Sequence, residues 1–420
     1  MCDSCLSKKI AVIGAGAAGL VSAREALREG HSVTVYEKSG GVGGVWVYVD
    51  EIEDDLLGQR STRPLHGSLY KSLRTNLPKE LMAFRDFPFD SSGGGDDSWG
   101  RYISHKQVLQ YLEKFAHAYD LLPYIRFEAE IRSVRRYGES NWEIDTARGD
   151  IEAYDAVMVC NGHYSRPRVP ALEGVDRFKG ELSHSHNYRT PDSFRGKRVA
   201  IFGAAASGVD IAREIAEVAQ AVYWCADDHV FADSGKQVNL ELLPSPVGFN
   251  DSGDLRVGDE RLVEDLDAFM FCTGYHYAFP FLEEGIVLVD DNWVRPLYRD
   301  MVPPDDPTIV FIGIPYSVIP FPLFELQAKW FAQTLSGKIE MKSADKMAFE
   351  LKMEQERYIA KGRKARNYHK LGSGQFAYMD LLAKECAVDC LPEWFEPLAN
   401  EVSEKRKAAP WDYRESPLSW

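Results

Sequence analysis

Residues 9–46 read KIAVIGAGAAGLVSAREALREGHSVTVYEKSGGVGGVW, and this stretch decides the fold. The apolar run Ile10 to Ile13 is typical of a strand that is buried on both faces of a parallel sheet. Helix-forming residues follow from Ala17 to Arg28, and the alternating residues Ser32 to Tyr36 predict a second strand, which ends before Glu37. The predicted order is therefore strand, glycine turn, helix, strand and acid.

The glycine turn predicts a dinucleotide site. Gly14, Gly16 and Gly19 have the G-x-G-x-x-G spacing, in which the first permits the tight turn, the second lets a pyrophosphate approach, and the third lets the helix pack. The start of the helix at Ala17 offers free N–H groups to that phosphate. Glu37 lies where an acid accepts a hydrogen bond from a ribose hydroxyl. The alternative is an ordinary βαβ unit with a glycine-rich turn.

A second glycine run follows the acid directly. Residues 40–46 read GGVGGVW and end in Val45 and Trp46. Glu37 alone does not separate NAD from FAD, but a second flexible loop can lie along an extended flavin nucleotide. The first site is therefore predicted to bind FAD.

Composition and charge limit the class of protein. The 420 residues suggest two domains, and the apolar (45%) and charged (27%) fractions are ordinary for a globular enzyme. A net charge of −15 argues against nucleic acid or an anionic membrane as a partner. The longest apolar candidate, residues 309–324, is interrupted by prolines, so we expect no membrane anchor. We expect a cytoplasmic protein, or a secreted one if a leader peptide has been removed.

The cysteines indicate neither a disulfide framework nor a metal site. There are seven of them, an odd number, and they are scattered along the chain. No cluster of His and Cys has the spacing of a metal site, so no metal is expected.

The βαβ plan occurs a second time. Residues 197–203 (KRVAIFG) predict a strand that enters a turn from Gly203 to Gly208, followed by a helix over 209–221 and a strand over 222–225. Ala205 occupies the position of the second glycine, where its methyl group would hold a phosphate slightly away. The repeat predicts a second dinucleotide site, and the alternative is a decayed repeat that only packs.

The predicted fold class is therefore α/β, with two Rossmann-like dinucleotide-binding domains whose parallel sheets are flanked by helices. The predicted boundaries are 1–166 for the first part of an FAD-binding domain, 167–282 for an NADP-binding domain, and 283–420 for the second part of the FAD-binding domain with a C-terminal tail.

A signature lies between the two glycine motifs. Residues 178–188 (FKGELSHSHNY) fit F-x-G-x-x-x-H-x-x-x-Y, which resembles the signature of the class B flavoprotein monooxygenases. Residues 271–275 (FCTGY), 75–80 (TNLPKE), 325–330 (ELQAKW) and 366–378 resemble segments of the flavin-containing monooxygenases within that class. The resemblance favours these over the Baeyer–Villiger enzymes. The short chain is similar to the insect branch, which includes the pyrrolizidine-alkaloid N-oxygenases.

The resemblance implies roles for particular residues. The FAD-binding positions would be Gly14, Gly16, Ala17, Gly19, Glu37, Val45 and Trp46. The NADP-binding positions would be Gly203, Ser207, Gly208, Val209 and Asp210, together with Thr75 and Asn76. Asn76 would be catalytic, with its amide bonded to the oxygenated flavin or the nicotinamide ribose; the alternative is a local turn bond before Pro78. We expect His184 to be an interdomain packing residue rather than a catalytic one.

The resemblance also implies the reaction. NADPH would reduce FAD, O2 would add to give a C4a-hydroperoxide, and a soft nucleophile, an amine nitrogen or a sulfide sulfur, would take the distal oxygen. A tertiary amine such as a pyrrolizidine alkaloid is the expected substrate, and a homo-oligomer is the expected assembly. The alternatives are a pyridine-nucleotide disulfide reductase, for which no C-x-x-C or C-x-x-x-x-C follows either glycine motif, and a non-catalytic nucleotide sensor.

One segment leaves the choice between NADPH and NADH open. Residues 225–229 (CADDH) follow the second strand of the second repeat, where NADPH-binding folds often place a basic group for the 2′-phosphate. Asp227 and Asp228 would repel that phosphate, and either His229 or a basic residue from elsewhere in the chain would compensate.

Overall fold

The computed structural model describes residues 7–138, 141–227 and 238–419. The strands are β1 (Lys9–Ile13), β2 (Ser32–Tyr36), β3 (Ile125–Arg126), β4 (Ile131–Tyr137), β5 (Asn141–Thr146), β6 (Ile151–Tyr154), β7 (Ala156–Val159), β8 (Glu181–His184), β9 (Arg198–Phe202), β10 (Ala221–Cys225), β11 (Leu240–Leu243), β12 (Pro246–Phe249), β13 (Leu255–Val257), β14 (Leu262–Val263), β15 (Ala268–Phe271), β16 (Leu288–Asp290), β17 (Trp293–Arg295) and β18 (Ile309–Phe311). The helices are α1 (Ala17–Arg28), α2 (Lys79–Met82), α3 (His105–Ala118), α4 (Ala206–Ala216), α5 (Pro320–Leu335), α6 (Ala344–Ala360), α7 (Gly374–Glu385) and α8 (Phe395–Ala408).

The first compact unit comprises Met1–Val47, Leu77–His163 and Tyr277–Glu396. Its main sheet has the order β18-β7-β1-β2-β3, and every pair in it is parallel. Helix α1 packs against α3 and α5, and β1 and β7 are almost completely buried, as continuous apolar runs predict. Helix α3 begins with a capping box, in which the Ser104 side chain accepts from the Gln107 N–H and the Gln107 side chain accepts from the Ser104 N–H.

The second compact unit comprises Tyr48–Asn76, Tyr164–His276 and Pro397–Trp420. Its main sheet has the order β11-β10-β9-β15-β8, and it is also entirely parallel. Helix α4 packs on β9 and β10. Both main sheets are parallel, and a glycine turn follows β1 in the first sheet and β9 in the second. This arrangement confirms the predicted α/β class.

The division into units differs from the predicted boundaries in two long segments, besides small shifts at residues 164–166 and 277–282. Residues 48–76 and 397–420 lie in the second unit, although the predicted boundaries join them to the FAD-binding domain. The reason is long-range packing, because Tyr70 and Trp411 are buried in the hydrophobic cluster around α4. Such packing cannot be predicted from a local sequence pattern.

Two elements also differ from their predicted bounds. Helix α4 begins at Ala206 and ends at Ala216, because Ala221 already pairs with Arg198 as the first residue of β10. The predicted C-terminal tail includes the end of α8, where Val402 is buried. In the part of the chain that the structure describes, no helix has the length and apolar character needed to cross a membrane.

Candidate functional site

The first glycine turn is fixed by close backbone contacts. Gly14 follows β1 with φ +101°, and a Cβ there would lie 2.7 Å from the carbonyl oxygen of Cys160. A Cβ on Gly19 would lie 1.8 Å from the carbonyl oxygen of Gly14. Both positions therefore require glycine for the fold itself, whether or not a nucleotide is bound.

Gly16 differs from its two neighbours. Its backbone is extended (φ −77°, ψ −172°), which any residue adopts, and a Cβ there would meet only Gly44, at 3.5 Å from the Cα. The fold therefore does not need glycine at this position. What glycine provides is open space at the N-terminus of α1, where free N–H groups from Ala17 onward can receive a pyrophosphate.

The second glycine run packs directly on this turn. The Gly43 N–H donates to the Ala15 carbonyl at 3.0 Å, and a Cβ on Gly44 would lie 2.9 Å from the Gly16 Cα. Val45 and Trp46 follow in a single 3₁₀ turn, Gly44–Trp46. The structure therefore brings the predicted FAD-binding loop and the predicted FAD-binding turn together.

Glu37 joins the same cluster. Its buried carboxylate accepts a hydrogen bond from the Ala15 N–H at Oε2 (2.8 Å), and from the Ser39 N–H and hydroxyl at Oε1 (2.8 Å each). A carboxylate has about four lone-pair positions, so Oε2 can accept one further bond. The open space at Gly16 and this remaining acceptor fit the pyrophosphate and ribose of FAD.

The second turn repeats the first. Gly203 has φ +122°, and a Cβ there would lie 2.4 Å from the carbonyl oxygen of Cys272, while a Cβ on Gly208 would lie 2.2 Å from the carbonyl oxygen of Gly203. Ala205 has the same extended backbone (φ −76°, ψ 179°) as Gly16 and is exposed, as is Ser207. This turn therefore also fits a phosphate at a helix N-terminus, approached over a methyl group.

The two cysteines beside the turns are not redox groups. Burial raises the pKa of the Cys160 thiol and that of the Cys272 thiol to about 12, so both stay protonated and unreactive. All five cysteines among the described residues are free.

Strand register identifies the residue that corresponds to Glu37 in the second unit. Tyr36 ends β2 and Cys225 ends β10 at matching positions of their sheets, so Ala226 stands where Glu37 stands. Ala226 is buried and small, and it offers no acid to a ribose hydroxyl. Asp227 comes one residue later and accepts from the Ser245 N–H at 3.1 Å. The predicted effects of residues 228 and 229 lie outside the described residues.

Two of the residues predicted to bind NADP have protein partners. Val209 is buried in the hydrophobic cluster of the second unit. Asp210 forms a paired ion bridge with Arg414 (3.0 and 2.8 Å) and accepts from the Tyr70 hydroxyl at 2.8 Å. Direct contact of these two side chains with a nucleotide stays a prediction.

Thr75 and Asn76 end the first segment of the second unit. Thr75 is buried, and its carbonyl accepts from the Arg414 Nε at 3.0 Å. The Asn76 amide is partly exposed and has no hydrogen-bond partner within residues 7–138, 141–227 and 238–419. The alternative of a local turn bond before Pro78 is therefore not what the structure shows, and the Asn76 amide is available to a ligand.

The signature segment forms β8 and a buried turn. A Cβ on Gly180 would lie 2.5 Å from the Asp267 carbonyl oxygen. His184 is fully buried, and its Nδ1 accepts from the His186 N–H at 3.0 Å. Burial, with a smaller effect of His186, lowers the pKa of His184 to about 3, so this imidazole stays neutral. Such a group fits packing rather than acid–base catalysis, and a position between domains stays a prediction.

In the first unit, the ELQAKW helix, α5, supplies a buried carboxylate. Glu325 Oε1 lies 3.0 Å from the Arg24 Nη2, and Oε2 accepts from the Arg85 N–H at 2.7 Å. Burial raises the pKa of Glu325, which Arg24 opposes. The Gln327 and Gln375 side chains accept from the N–H groups of Gly313 (2.9 Å) and Ile319 (2.6 Å), so these family segments hold the loop after β18.

Sequence reasoning did not find Arg414, Tyr70 or Ala226. Arg414 lies 204 residues from Asp210 in a stretch without periodicity, so no sequence pattern could have paired them. The signal for Ala226 was present, because aligning the two glycine turns residue by residue places it opposite Glu37.

The chain is similar to known flavin-dependent proteins over most of its length. A family model described as FMO-like, flavin-binding monooxygenase-like, matches residues 7–231 and 253–396. The curated relative "Flavin-containing monooxygenase FMO GS-OX-like 3" of Arabidopsis thaliana is 41% identical over 423 residues, which cover 97% of this chain and 94% of the relative.

Solved structures are similar over almost the whole chain. The S-allyl-L-cysteine S-oxygenase from Allium sativum has a TM-score of 0.93 at 40% identity, covering 98% of this chain and 95% of that one. Tmm from Pelagibacter sp. strain HTCC7211 has a TM-score of 0.83 at 23% identity, covering 98% and 94%, and shows the fold alone.

Proposed function

The chain belongs to the flavin-binding monooxygenase-like family, and from this premise we propose that it transfers one oxygen atom of O2 to a thioether sulfur of a small molecule. It is an enzyme, a flavin monooxygenase, and its cofactors are FAD and NADPH, as expected from the sequence. The alternatives of a disulfide reductase and a non-catalytic sensor have no support.

One observation carries the choice of sulfur. The structural neighbour with a TM-score of 0.93 and 40% identity is an S-oxygenase of a thioether amino acid. A tertiary amine such as a pyrrolizidine alkaloid therefore stands second, because an amine nitrogen is the other soft nucleophile that accepts such an oxygen.

The chain's own residues bind and orient the cofactors. When bound, FAD, reduced by NADPH, supplies the activation of O2. We assign the FAD pyrophosphate to the open side of Gly16 and the start of α1, and its ribose to the free lone pair on Glu37 Oε2. We assign NADPH to the second turn, where Ser207 is exposed and Ala226 leaves room for a 2′-phosphate.

Asn76 is the proposed catalytic residue. Its amide has no partner among the described residues, and it can both donate and accept a hydrogen bond. We propose that it holds the reacting oxygen or the nicotinamide ribose and so limits the loss of oxygen as peroxide. The overall reaction balances: one thioether, one O2, one NADPH and one proton give one sulfoxide, one NADP⁺ and one water. The substrate is its own nucleophile, so no base is needed.

The test uses the purified, FAD-loaded enzyme with NADPH in air. The substrates are S-allyl-L-cysteine, a dialkyl sulfide and a tertiary amine, and NADPH loss, H2O2 and oxide are measured together. We expect about one sulfoxide per NADPH consumed. We also expect that the rate of sulfoxidation does not fall at pH values below the pKa of the tertiary amine substrate. Oxidation of the amine alone, with a rate that falls below its pKa, would favour the second candidate. NADPH loss matched by H2O2, without any oxide, would contradict both.

Assembly and location are further proposals. We propose a homo-oligomer in the cytoplasm, to be tested by light scattering of the purified protein and by fractionation of the source cells.

A further inference from the structure

We propose that Arg414 is a positioning residue, which fixes the backbone of Thr75 and Asn76 to Asp210, near the start of the nucleotide-binding helix α4. The inference rests on the proposed function, because it gives Asn76 its catalytic meaning. It concerns residues of the second unit only.

The geometry is a fork with three hydrogen bonds. The Arg414 Nη1 and Nη2 donate to the two carboxylate oxygens of Asp210 at 3.0 and 2.8 Å, and Nε donates to the Thr75 carbonyl at 3.0 Å. The Arg414 and Asp210 side chains are only 10% and 17% exposed. One guanidinium therefore joins a helix residue to the backbone that carries Asn76, in a partly dry environment where paired bonds are strong.

The segment before Thr75 is tied to the same helix. The Tyr70 hydroxyl donates to Asp210 at 2.8 Å, and the Ser72 hydroxyl donates to Glu214, one turn further along α4. Burial, followed by the charge of Asp210, raises the pKa of Tyr70 well above its usual value, so it remains a donor. Arg414 supplies the last attachment before Asn76.

The C-terminal turn that carries Arg414 is itself anchored on α4. The Trp411 carbonyl accepts from the Arg213 Nη1 at 2.7 Å, and Tyr413 is buried. The guanidinium carbon of Arg414 lies 4.9 Å from the centroid of the Tyr413 ring. The turn is therefore held in place on α4, and it fixes the position of the Arg414 guanidinium.

Two features indicate that Arg414 does more than stabilise the fold. The residue next to the bonded carbonyl is Asn76, whose amide has no partner in the described chain. The other end of the fork is Asp210, the fifth residue of the helix whose N-terminus is assigned to NADPH. Arg414 thus sets the position of a catalytic amide relative to the helix that binds the nucleotide.

The first test does not depend on activity. Hydrogen exchange by mass spectrometry compares the wild-type enzyme with Arg414→Met and Arg414→Lys in peptides that cover residues 70–77. We expect exchange at least tenfold faster in the Met variant and an intermediate rate in the Lys variant, which keeps the charge but not the fork. The matched control is Glu415→Gln, which breaks the exposed Arg74–Glu415 pair (43% and 71% exposed) between the same two segments, and exchange should not change.

The second test asks whether Arg414 acts through Asn76. In the wild-type background we expect Arg414→Met to lower sulfoxide formed per NADPH at least fivefold, with H2O2 replacing it. In the Asn76→Ala background the same substitution should change that ratio less than twofold, because the residue through which it acts is gone.

The outcomes separate the two proposals. Unchanged exchange at residues 70–77, or an Arg414 effect of equal size in both backgrounds, would overturn the positioning role. Faster exchange in Arg414→Met, together with a wild-type enzyme that forms no oxide of any substrate, would overturn the proposed function and leave the anchoring role of Arg414 in place.

Discussion

Replacing Gly16 by Ala should separate nucleotide binding from folding. A Cβ at Gly16 meets only the Gly44 Cα, at the ordinary contact distance of 3.5 Å, and the backbone is one that alanine adopts. Alanine loses less chain entropy on folding, worth about 0.4–1 kcal/mol, but is a poorer helix N-cap than glycine. The two effects oppose each other, so the free energy of unfolding of the apoprotein should stay within about 1 kcal/mol of wild type.

The affinity for FAD should change much more. The new methyl group occupies the open space at the start of α1, where the pyrophosphate is assigned. Loss of one backbone hydrogen bond to a charged phosphate costs about 1.5–3 kcal/mol, which corresponds to a Kd that rises about 10- to 150-fold.

The assay titrates apoprotein with FAD by flavin fluorescence and measures urea unfolding of the same apoprotein. Gly19→Ala is the contrasting variant, because its Cβ would lie 1.8 Å from the Gly14 carbonyl oxygen; it should lose about 3 kcal/mol or more of stability. Ala205→Gly is the matched control in the second turn; it should leave the Kd for FAD unchanged and bind NADP⁺ more tightly. Wild-type FAD affinity in Gly16→Ala would refute the assignment of this turn to the pyrophosphate.

Three further predictions concern specificity, stability and pH. Ala226→Glu, which places an acid where Glu37 stands in the first unit, should lower kcat/KM for NADPH about 10- to 100-fold by repelling the 2′-phosphate, while NADH should lose less; equal losses with both would count against this position. Glu325→Ala should lower the free energy of unfolding, measured by urea titration, by about 3 kcal/mol, because it breaks a buried ion pair with Arg24. Arg24 keeps its other acidic partners, so we expect a loss near the lower end of the usual range for buried pairs. A loss below about 1 kcal/mol would be inconsistent with a buried pair. The folded-state pKa of His184 is lowered to about 3, so the neutral imidazole stabilises the protein fully above pH 6.5 and progressively less as the pH falls below that value. His184→Asn should therefore reduce the pH dependence of the unfolding free energy between pH 6 and 4 by up to about 1.4 kcal/mol per pH unit. An unchanged pH dependence would show that His184 does not titrate on unfolding in that range.

The glycine turns were predictable because the sequence pattern that signals them is local, although Gly14 and Gly203 also avoid the carbonyl oxygens of the distant Cys160 and Cys272. Strand, turn, helix and acid lie within residues 9–37, and each residue type is required by a backbone contact or by an open space. The clashes at Gly14 and Gly19 recur at Gly203 and Gly208, so the second turn could be inferred from the first.

The remaining features depend on contacts that are distant in sequence. Asp210 could be placed on α4 but not paired, because its partner Arg414 is 204 residues away in a stretch that predicts no structure. Counting residues after β10 directed attention to the acids at 227 and 228, whereas strand register places Ala226 opposite Glu37. Tertiary packing decides the first case, whereas in the second an alignment of the two glycine turns would have found Ala226 from the sequence alone.

The measurement that tests the central claim most directly is isotope transfer from O2 to the product. FAD-loaded enzyme, NADPH and S-allyl-L-cysteine are mixed under ¹⁸O2, and the sulfoxide is analysed by mass spectrometry. The account predicts one ¹⁸O atom in each sulfoxide, with its amount matching the NADPH consumed. A sulfoxide without ¹⁸O, or NADPH consumption that yields only labelled H2O2, would contradict it.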